Sequence, residues 1–201
     1  MAPRDGRCKV NMKDISLIGF MGCGKSSVGK ILATLLPECR LIDLDTYIEE
    51  KQGKNIPEIF NEYGEAAFRR MEREALEEIF SDKSRPRAIL SLGGGTVTSE
   101  QCRQLIRQHT DCFYLRATTD TLLDNLEGHS DGRPMLNPTQ PVEAQSTETS
   151  SEREALRHRI ESLMQTRSPQ YLATANHIID IDGQTFAQIA EAVEDNILNI
   201  K

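Results

Sequence analysis

The run Gly19-Phe20-Met21-Gly22-Cys23-Gly24-Lys25-Ser26 fits the pattern G-x-x-x-x-G-K-[ST], which binds phosphate. Its chemistry follows from residue type. Glycines let the backbone turn tightly and bring its N–H groups close to an anion. Lys25 supplies a point charge for β- and γ-phosphates, and the Ser26 hydroxyl suits a magnesium ion that travels with them. A second set, Asp43-Leu44-Asp45, places two carboxylates one residue apart. One can reach a hard cation, usually through water, and the other can hold hydroxyls and accept a proton. Next come three consecutive glycines, Gly93, Gly94 and Gly95, in Ser91-Leu92-Gly93-Gly94-Gly95-Thr96. They leave N–H groups bare and open to a close ligand. Arg69, Arg133 and Arg167 offer planar guanidinium groups that grip carboxylate or phosphate with paired hydrogen bonds. Any one of these elements alone has a bland reading, as a glycine turn, a solvated acidic turn or a surface charge. Their co-occurrence favours a phosphate-transfer site.

The elements that must position these residues alternate. Apolar runs at Ile15–Ile18, Arg40–Ile42, Ala88–Leu92, Phe113–Leu115 and His177–Ile181 read as five strands. Between and after them, helical spacing appears over Lys25–Leu36, Tyr47–Lys51, Pro57–Glu62, Glu65–Phe80, Ser99–Gln108 and Thr119–Leu126. It recurs over Glu152–Leu172, where Pro169 is expected to bend or end the helix. In the last helix Phe186, Ile189, Ala190, Val193 and Ile197 form the apolar face. This β-α-β alternation predicts an α/β fold of three layers, a parallel sheet between helices with right-handed crossovers. Ligands in such sheets lie beyond the carboxyl ends of the strands. Gly19–Ser26, Asp43–Asp45 and Gly93–Gly95 all follow strands, so they are expected to meet at one crevice.

Composition sets limits. The chain has 201 residues, 38% hydrophobic and 27% charged, with a formal net charge of −7. That is enough for one domain with a core. The negative balance disfavours general affinity for nucleic acid or anionic membrane, and no apolar run approaches a membrane span. Five cysteines without a C-x-x-C suggest neither a disulfide framework nor a zinc site, and a reducing, cytoplasmic setting fits them. Cys23 reads more simply as a small loop residue than as a redox group. Residues 1–12 are expected to be a flexible extension of a single domain over 13–201. The Ser-, Thr-, Pro- and acid-rich stretch 128–151 lacks periodicity, as a lid or a disordered loop does.

With these elements assembled, the chain resembles the shikimate kinase family. The resemblance rests on the loop Gly19–Ser26 with Val28-Gly29, on Asp43-x-Asp45, Ile59-Phe60 and Gly64-Glu65, and on Phe68-Arg69-Arg70-x-Glu72. It continues through Ser91-Leu92-Gly93-Gly94-Gly95, Arg133-Pro134 and Arg167-x-x-x-Tyr171. It implies a P-loop kinase of the nucleoside-monophosphate-kinase type, with a five-stranded parallel sheet, a substrate-binding helical region over about 44–80 and a lid over about 127–150. The implied reaction phosphorylates the 3-hydroxyl of shikimate from ATP. Implied catalytic residues are Asp45, Lys25 and Arg133. ATP would meet Gly22, Cys23, Gly24, Lys25, Ser26, Ser27 and Arg133. Shikimate would meet Asp45, Arg69, Gly93, Gly94, Gly95 and Arg167, and magnesium would meet Ser26 and Asp43. A monomer is expected. One departure is visible. Family lids usually carry an arginine that stacks on adenine, several residues before the Arg-Pro pair. Leu122–His129 contains none, which leaves Asn125 or His129 as substitutes. The rival readings are another small-molecule kinase such as a gluconate kinase, a non-catalytic nucleotide-binding module, and a nucleic-acid-associated ATPase.

Overall fold

A computed structural model describes residues 13–127 and 148–199. In chain order the elements are β1 (Asp14–Ile18), α1 (Lys25–Leu35), β2 (Arg40–Asp43), α2 (Leu44–Gln52) and α3 (Ile56–Ser81), followed by β3 (Ala88–Ser91) and a 3-10 turn (Thr96–Thr98). Then come α4 (Glu100–His109), β4 (Thr110–Arg116), α5 (Thr119–Leu126), α6 (Glu148–Thr174), β5 (His177–Asp180) and α7 (Phe186–Asn199). The five strands form one sheet in the order β2-β3-β1-β4-β5, and every pair is parallel. The expected five-stranded α/β architecture is therefore present.

Period-two alternation splits the strand side chains between two cores. Ile15, Leu17, Ile89, Phe113 and Leu115 join a core that includes Val28, Leu122, Leu126, Ile189 and Val193 from α1, α5 and α7. Ile18, Ala88, Leu90, Cys112 and Tyr114 point the other way, toward Leu44, Ile59, Leu76 and Ile106 from α2, α3 and α4. One polar pair is buried in the sheet: Ser16 and Thr110 share a hydrogen bond of 2.7 Å, and Thr110 also donates to Ile106 O. Both hydroxyls are thus satisfied.

Two helices differ from expectation. The segments Pro57–Glu62 and Glu65–Phe80 are one run, α3, bent where Gly64 adopts φ 75°, a conformation other residues resist. Its start is a reciprocal cap between Asn55 and Glu58. Pro169 does not end α6; the helix continues to Thr174. Packing of Tyr171 explains this. Its ring stacks on Tyr114 at 4.9 Å, and its hydroxyl donates to Gly94 O at 2.5 Å. That buried contact outweighs the one backbone bond a proline removes.

Candidate active site

The three polar strand ends converge as their order in the sheet requires. Leu17 of β1 and Asp43 of β2 both register with Ser91 of β3. The loops after these strands thereby surround one cavity of about 610 Å³. It is the space beyond the carboxyl ends of a parallel sheet whose strand order reverses at β1.

The phosphate end is built by the loop from β1 to α1. Gly22 and Gly24 have φ of 82° and 85°. Helix α1 starts at Lys25 with no side-chain cap and no acidic residue in its first turn. Its first N–H groups therefore remain free for an anion, with the positive end of the helix dipole behind them. Lys25 is buried, and its ammonium donates to Gly19 O (3.0 Å) and Phe20 O (2.9 Å). The charge is thus held at the loop before any ligand arrives. The Ser26 hydroxyl donates to Asp43 Oδ2 at 2.6 Å and lies 3.1 Å from the Ser91 hydroxyl. A hydroxyl beside a carboxylate is the donor set that magnesium takes when phosphates and water complete its shell, so these residues fit that ion.

The acid end comes from α2 and α3. Asp43 caps α2 by accepting from Thr46 N. This sends Asp45, in the first turn, into the cavity. Burial pushes the Asp45 carboxyl up to about 7, with the charges of Glu72 and Asp43 adding to the effect. Glu72 is fully buried and accepts from Arg69 Nη1 (2.6 Å) and Thr96 Oγ1 (2.5 Å). Desolvation raises its pKa as well, against the pull of Arg69. Arg69 also donates to Glu65 from Nη2 (3.0 Å). Its two partners differ: the Glu65 side chain is about half exposed and can yield to a competing carboxylate, while Glu72 is enclosed.

The triple glycine owes its composition to these side chains. A Cβ on Gly95 would overlap the Arg69 guanidinium, and one on Gly93 would stand 3.0 Å from Asp45 Oδ1. At Gly94 a Cβ would meet Met21 N at 3.0 Å, so the loop also lies against the phosphate cradle. Arg167 of α6 closes the wall. Its guanidinium is buried over the Phe20 ring at 5.9 Å, and Nη1 has no hydrogen-bond partner among the described residues. A buried donor of this kind on a cavity wall calls for an anionic ligand.

Gly22, Gly24, Lys25, Ser26, Ser27, Asp43, Asp45, Arg69, Gly93, Gly94, Gly95 and Arg167 all line this cavity. Cys23 does not. Its side chain is fully buried, and its N–H donates to Phe20 O within the loop turn, so neither group faces the cavity. Arg133, His129 and residues 128–147 of the expected lid lie outside the described residues, as does the extension 1–12. Asn125 lines the cavity and donates to Gly22 O at 2.9 Å. Phe186, expected in the core face of the last helix, is instead 44% exposed and lines the cavity. Its helical spacing from Ile189 and Val193 concealed this, because the first turn of a helix can overhang a neighbouring loop. Glu72 stands in the motif Phe68-Arg69-Arg70-x-Glu72 without a role of its own, and its pairing with Arg69 was signalled by the i+3 spacing of a helical ion pair.

Comparison with known proteins finds relatives in sequence and in fold. Residues 21–198 match the family model described as shikimate kinase. A shikimate kinase of Sulfurihydrogenibium sp. is 36% identical over 182 residues, covering 90% of this chain and 96% of the relative. One from Thermus thermophilus is 33% identical, covering 91% and 89%. Among solved structures, a shikimate kinase from Acinetobacter baumannii in complex with shikimate superposes with a TM-score of 0.78 at 29% identity, over 94% of this chain and 96% of the other. The enzyme from Bacteroides thetaiotaomicron gives 0.76 at 27% identity, over 93% and 99%.

Proposed function

This chain belongs to the shikimate kinase family, and from that premise we propose how its own residues carry out the family's reaction. The enzyme transfers the γ-phosphoryl group of ATP to the 3-hydroxyl of shikimate, giving 3-phosphoshikimate and ADP. The observation that carries the assignment of roles is the single cavity in which Lys25, Asp45, Arg69 and Arg167 meet.

Phosphoryl transfer needs little covalent help from the protein, so positioning and charge do most of the work. The backbone N–H groups of Gly22, Gly24, Lys25 and Ser26 hold the phosphates, with Ser27 beside them. Lys25 neutralises charge that builds on the transferred group. Ser26 and Asp43 would hold magnesium, which, when bound, screens the phosphate oxygens. Arg133 adds a second cation for the phosphates. On the acceptor side, Arg167 and Arg69 take the shikimate carboxylate. Arg167 does so with its unpaired buried Nη1, and Arg69 by exchanging Glu65 for the substrate. The backbone of Gly93–Gly95 and the Asp45 carboxylate hold the ring hydroxyls. Asp45 accepts the proton of the attacking hydroxyl. A carboxyl near 7 is a better base than an ordinary aspartate and still largely ionised above neutrality. We assign residues 13–201 to one domain, with 44–80 as the acceptor-binding region and 127–150 as the cover. We also assign a monomer in a reducing, cytoplasmic setting, the setting being the one that fits the free, buried thiols of Cys23, Cys39, Cys102 and Cys112.

A coupled assay of ADP release tests this reading. Release is expected to require shikimate together with Mg-ATP, and to be absent with gluconate or nucleoside monophosphates. Activity with gluconate and none with shikimate would refute it.

A further inference from the structure

Each carbonyl of the triple glycine accepts a hydrogen bond from a residue that does not line the cavity. Gly93 O accepts from Thr96 N at 3.1 Å, and Gly95 O from Thr98 N at 2.9 Å and Thr98 Oγ1 at 2.7 Å. Those bonds are local and belong to the 3-10 turn that follows the glycines. Gly94 O differs. Its donor is the hydroxyl of Tyr171, 77 positions away on α6, at 2.5 Å. The N–H groups of Gly94 and Gly95, by contrast, have no hydrogen-bond partner among the described residues.

Peptide planarity carries this tether across to the cavity. No cis peptide occurs among the described residues, so the C=O of Gly94 and the N–H of Gly95, which share one plane, point in opposite directions. Gly94 and Gly95 line the cavity, and Tyr171 does not. A carbonyl held toward Tyr171 therefore sends the Gly95 N–H toward the cavity, on the wall it shares with Arg69. Glycine on both sides leaves no Cβ to oppose rotation of this plane. Turned over, it would offer a carbonyl oxygen to an anionic, hydroxylated ligand in place of a donor. Tyr171 itself is fixed: it is fully buried, and its ring stacks on Tyr114. It stands one helical turn after Arg167. Burial raises the pKa of its phenol above the ordinary value, against the charge of Arg167, so the hydroxyl stays protonated and able to donate.

We infer that Tyr171 is a positioning residue for the acceptor: its hydroxyl orients the Gly94–Gly95 peptide so that the Gly95 N–H is presented to shikimate. This rests on the acceptor reading of the cavity and deepens it. Helix α6 sets two donors of that site together, the Arg167 guanidinium directly and the Gly95 N–H through Tyr171.

Tyr171→Phe, made in the full chain, removes the hydroxyl and keeps the stacked ring. A released peptide samples both orientations, and apparent affinity falls with the competent fraction. The shikimate KM is expected to rise about tenfold, the scale of one lost hydrogen bond. Turnover should change by less than about twofold, and the ATP Kd should stay where it is. The peptide itself can be followed by NMR. With glycine labelled at the amide nitrogen and the carbonyl carbon, a carbonyl-filtered amide spectrum shows only bonds between two glycines, and in this chain those are Gly93–Gly94 and Gly94–Gly95. In the parent, the Gly95 amide proton is expected to shift when shikimate is added. In Tyr171→Phe that shift should shrink or its resonance split. A shikimate KM within about twofold of the parent's would overturn the inference, as would a loss confined to kcat. So would equal loss of shikimate and ATP affinity, the mark of a distorted fold. A parent Gly95 amide indifferent to shikimate would overturn it even where the variant fails to fold. A parent that neither binds nor phosphorylates shikimate would refute the acceptor reading, and this inference with it.

Discussion

Replacing Asp45 by asparagine removes a charge that the folded protein holds at a cost, and the cost depends on pH in a calculable way. Burial first, then the charges of Glu72 and Asp43, carry this carboxyl from 3.8 to about 7. At about 1.36 kcal/mol per pH unit, the ionised folded protein is destabilised by roughly 4 kcal/mol relative to an aspartate that felt no change on folding. The sign follows from proton counting. Between about pH 4 and about pH 7 the folded chain binds more protons at this site than the unfolded chain, so stability falls as pH rises. The contribution is fully present below the unfolded value and is lost as pH rises through the folded one. Asparagine has nearly the same shape and does not titrate. Its own hydrogen bonding shifts stability equally at every pH. The stability gap between Asp45→Asn and the parent should therefore widen in the variant's favour by about 2–3 kcal/mol from about pH 5 to about pH 8. Urea unfolding of the ligand-free proteins across this range measures it. A gap constant to within about 0.5 kcal/mol would show that Asp45 is not the desolvated, acid-crowded group described above, and would remove the physical basis for its role as base.

The same variant should lose at least about a hundredfold in turnover, the usual scale for a general base, while ATP binding measured by titration stays close to the parent's. In the parent, kcat/KM for shikimate should drop on the acid side of about pH 7 as Asp45 takes up its proton, and a flat profile from about pH 5.5 to 7.5 would contradict this. Arg69→Ala is expected to weaken shikimate binding by roughly 2 kcal/mol or more, the loss of a charge-assisted hydrogen bond, as read by calorimetry. Gly95→Ala places a methyl in the Arg69 guanidinium; the shikimate KM should rise about tenfold or more through misplacement of that group, with ATP affinity unmoved.

Much of the site was legible along the chain because its chemistry is local. The loop Gly19–Ser26 is contiguous, and its N–H cradle needs only a strand before it and a helix after it. Asp43 and Asp45 are separated by Leu44 alone, and a cap on α2 suffices to turn one toward Ser26 and the other into the cavity. Five apolar runs separated by helical spacing allow few arrangements other than a parallel sheet. The strand order is another matter. That β3 lies between β1 and β2 follows from long-range pairing, and only this insertion brings Gly93–Gly95 against Arg69 and Asp45.

Properties that depend on neighbours distant in sequence belong to the tertiary structure. The basicity of Asp45 comes from burial beside Glu72, twenty-seven positions away by their numbers. Arg167 reads as any surface arginine until α6 folds it over Phe20 with one nitrogen unpaired. Whether the helix runs on past Pro169 is decided by Tyr171, clasped between Tyr114 and Gly94. Phe186 reads as core until Gly24 is found beneath its ring. Residue type and spacing specify which bonds a segment can make with itself. Desolvation, charge crowding and the contact of a ring with a distant backbone are sums over everything packed nearby, and those sums exist only once the chain has closed on itself.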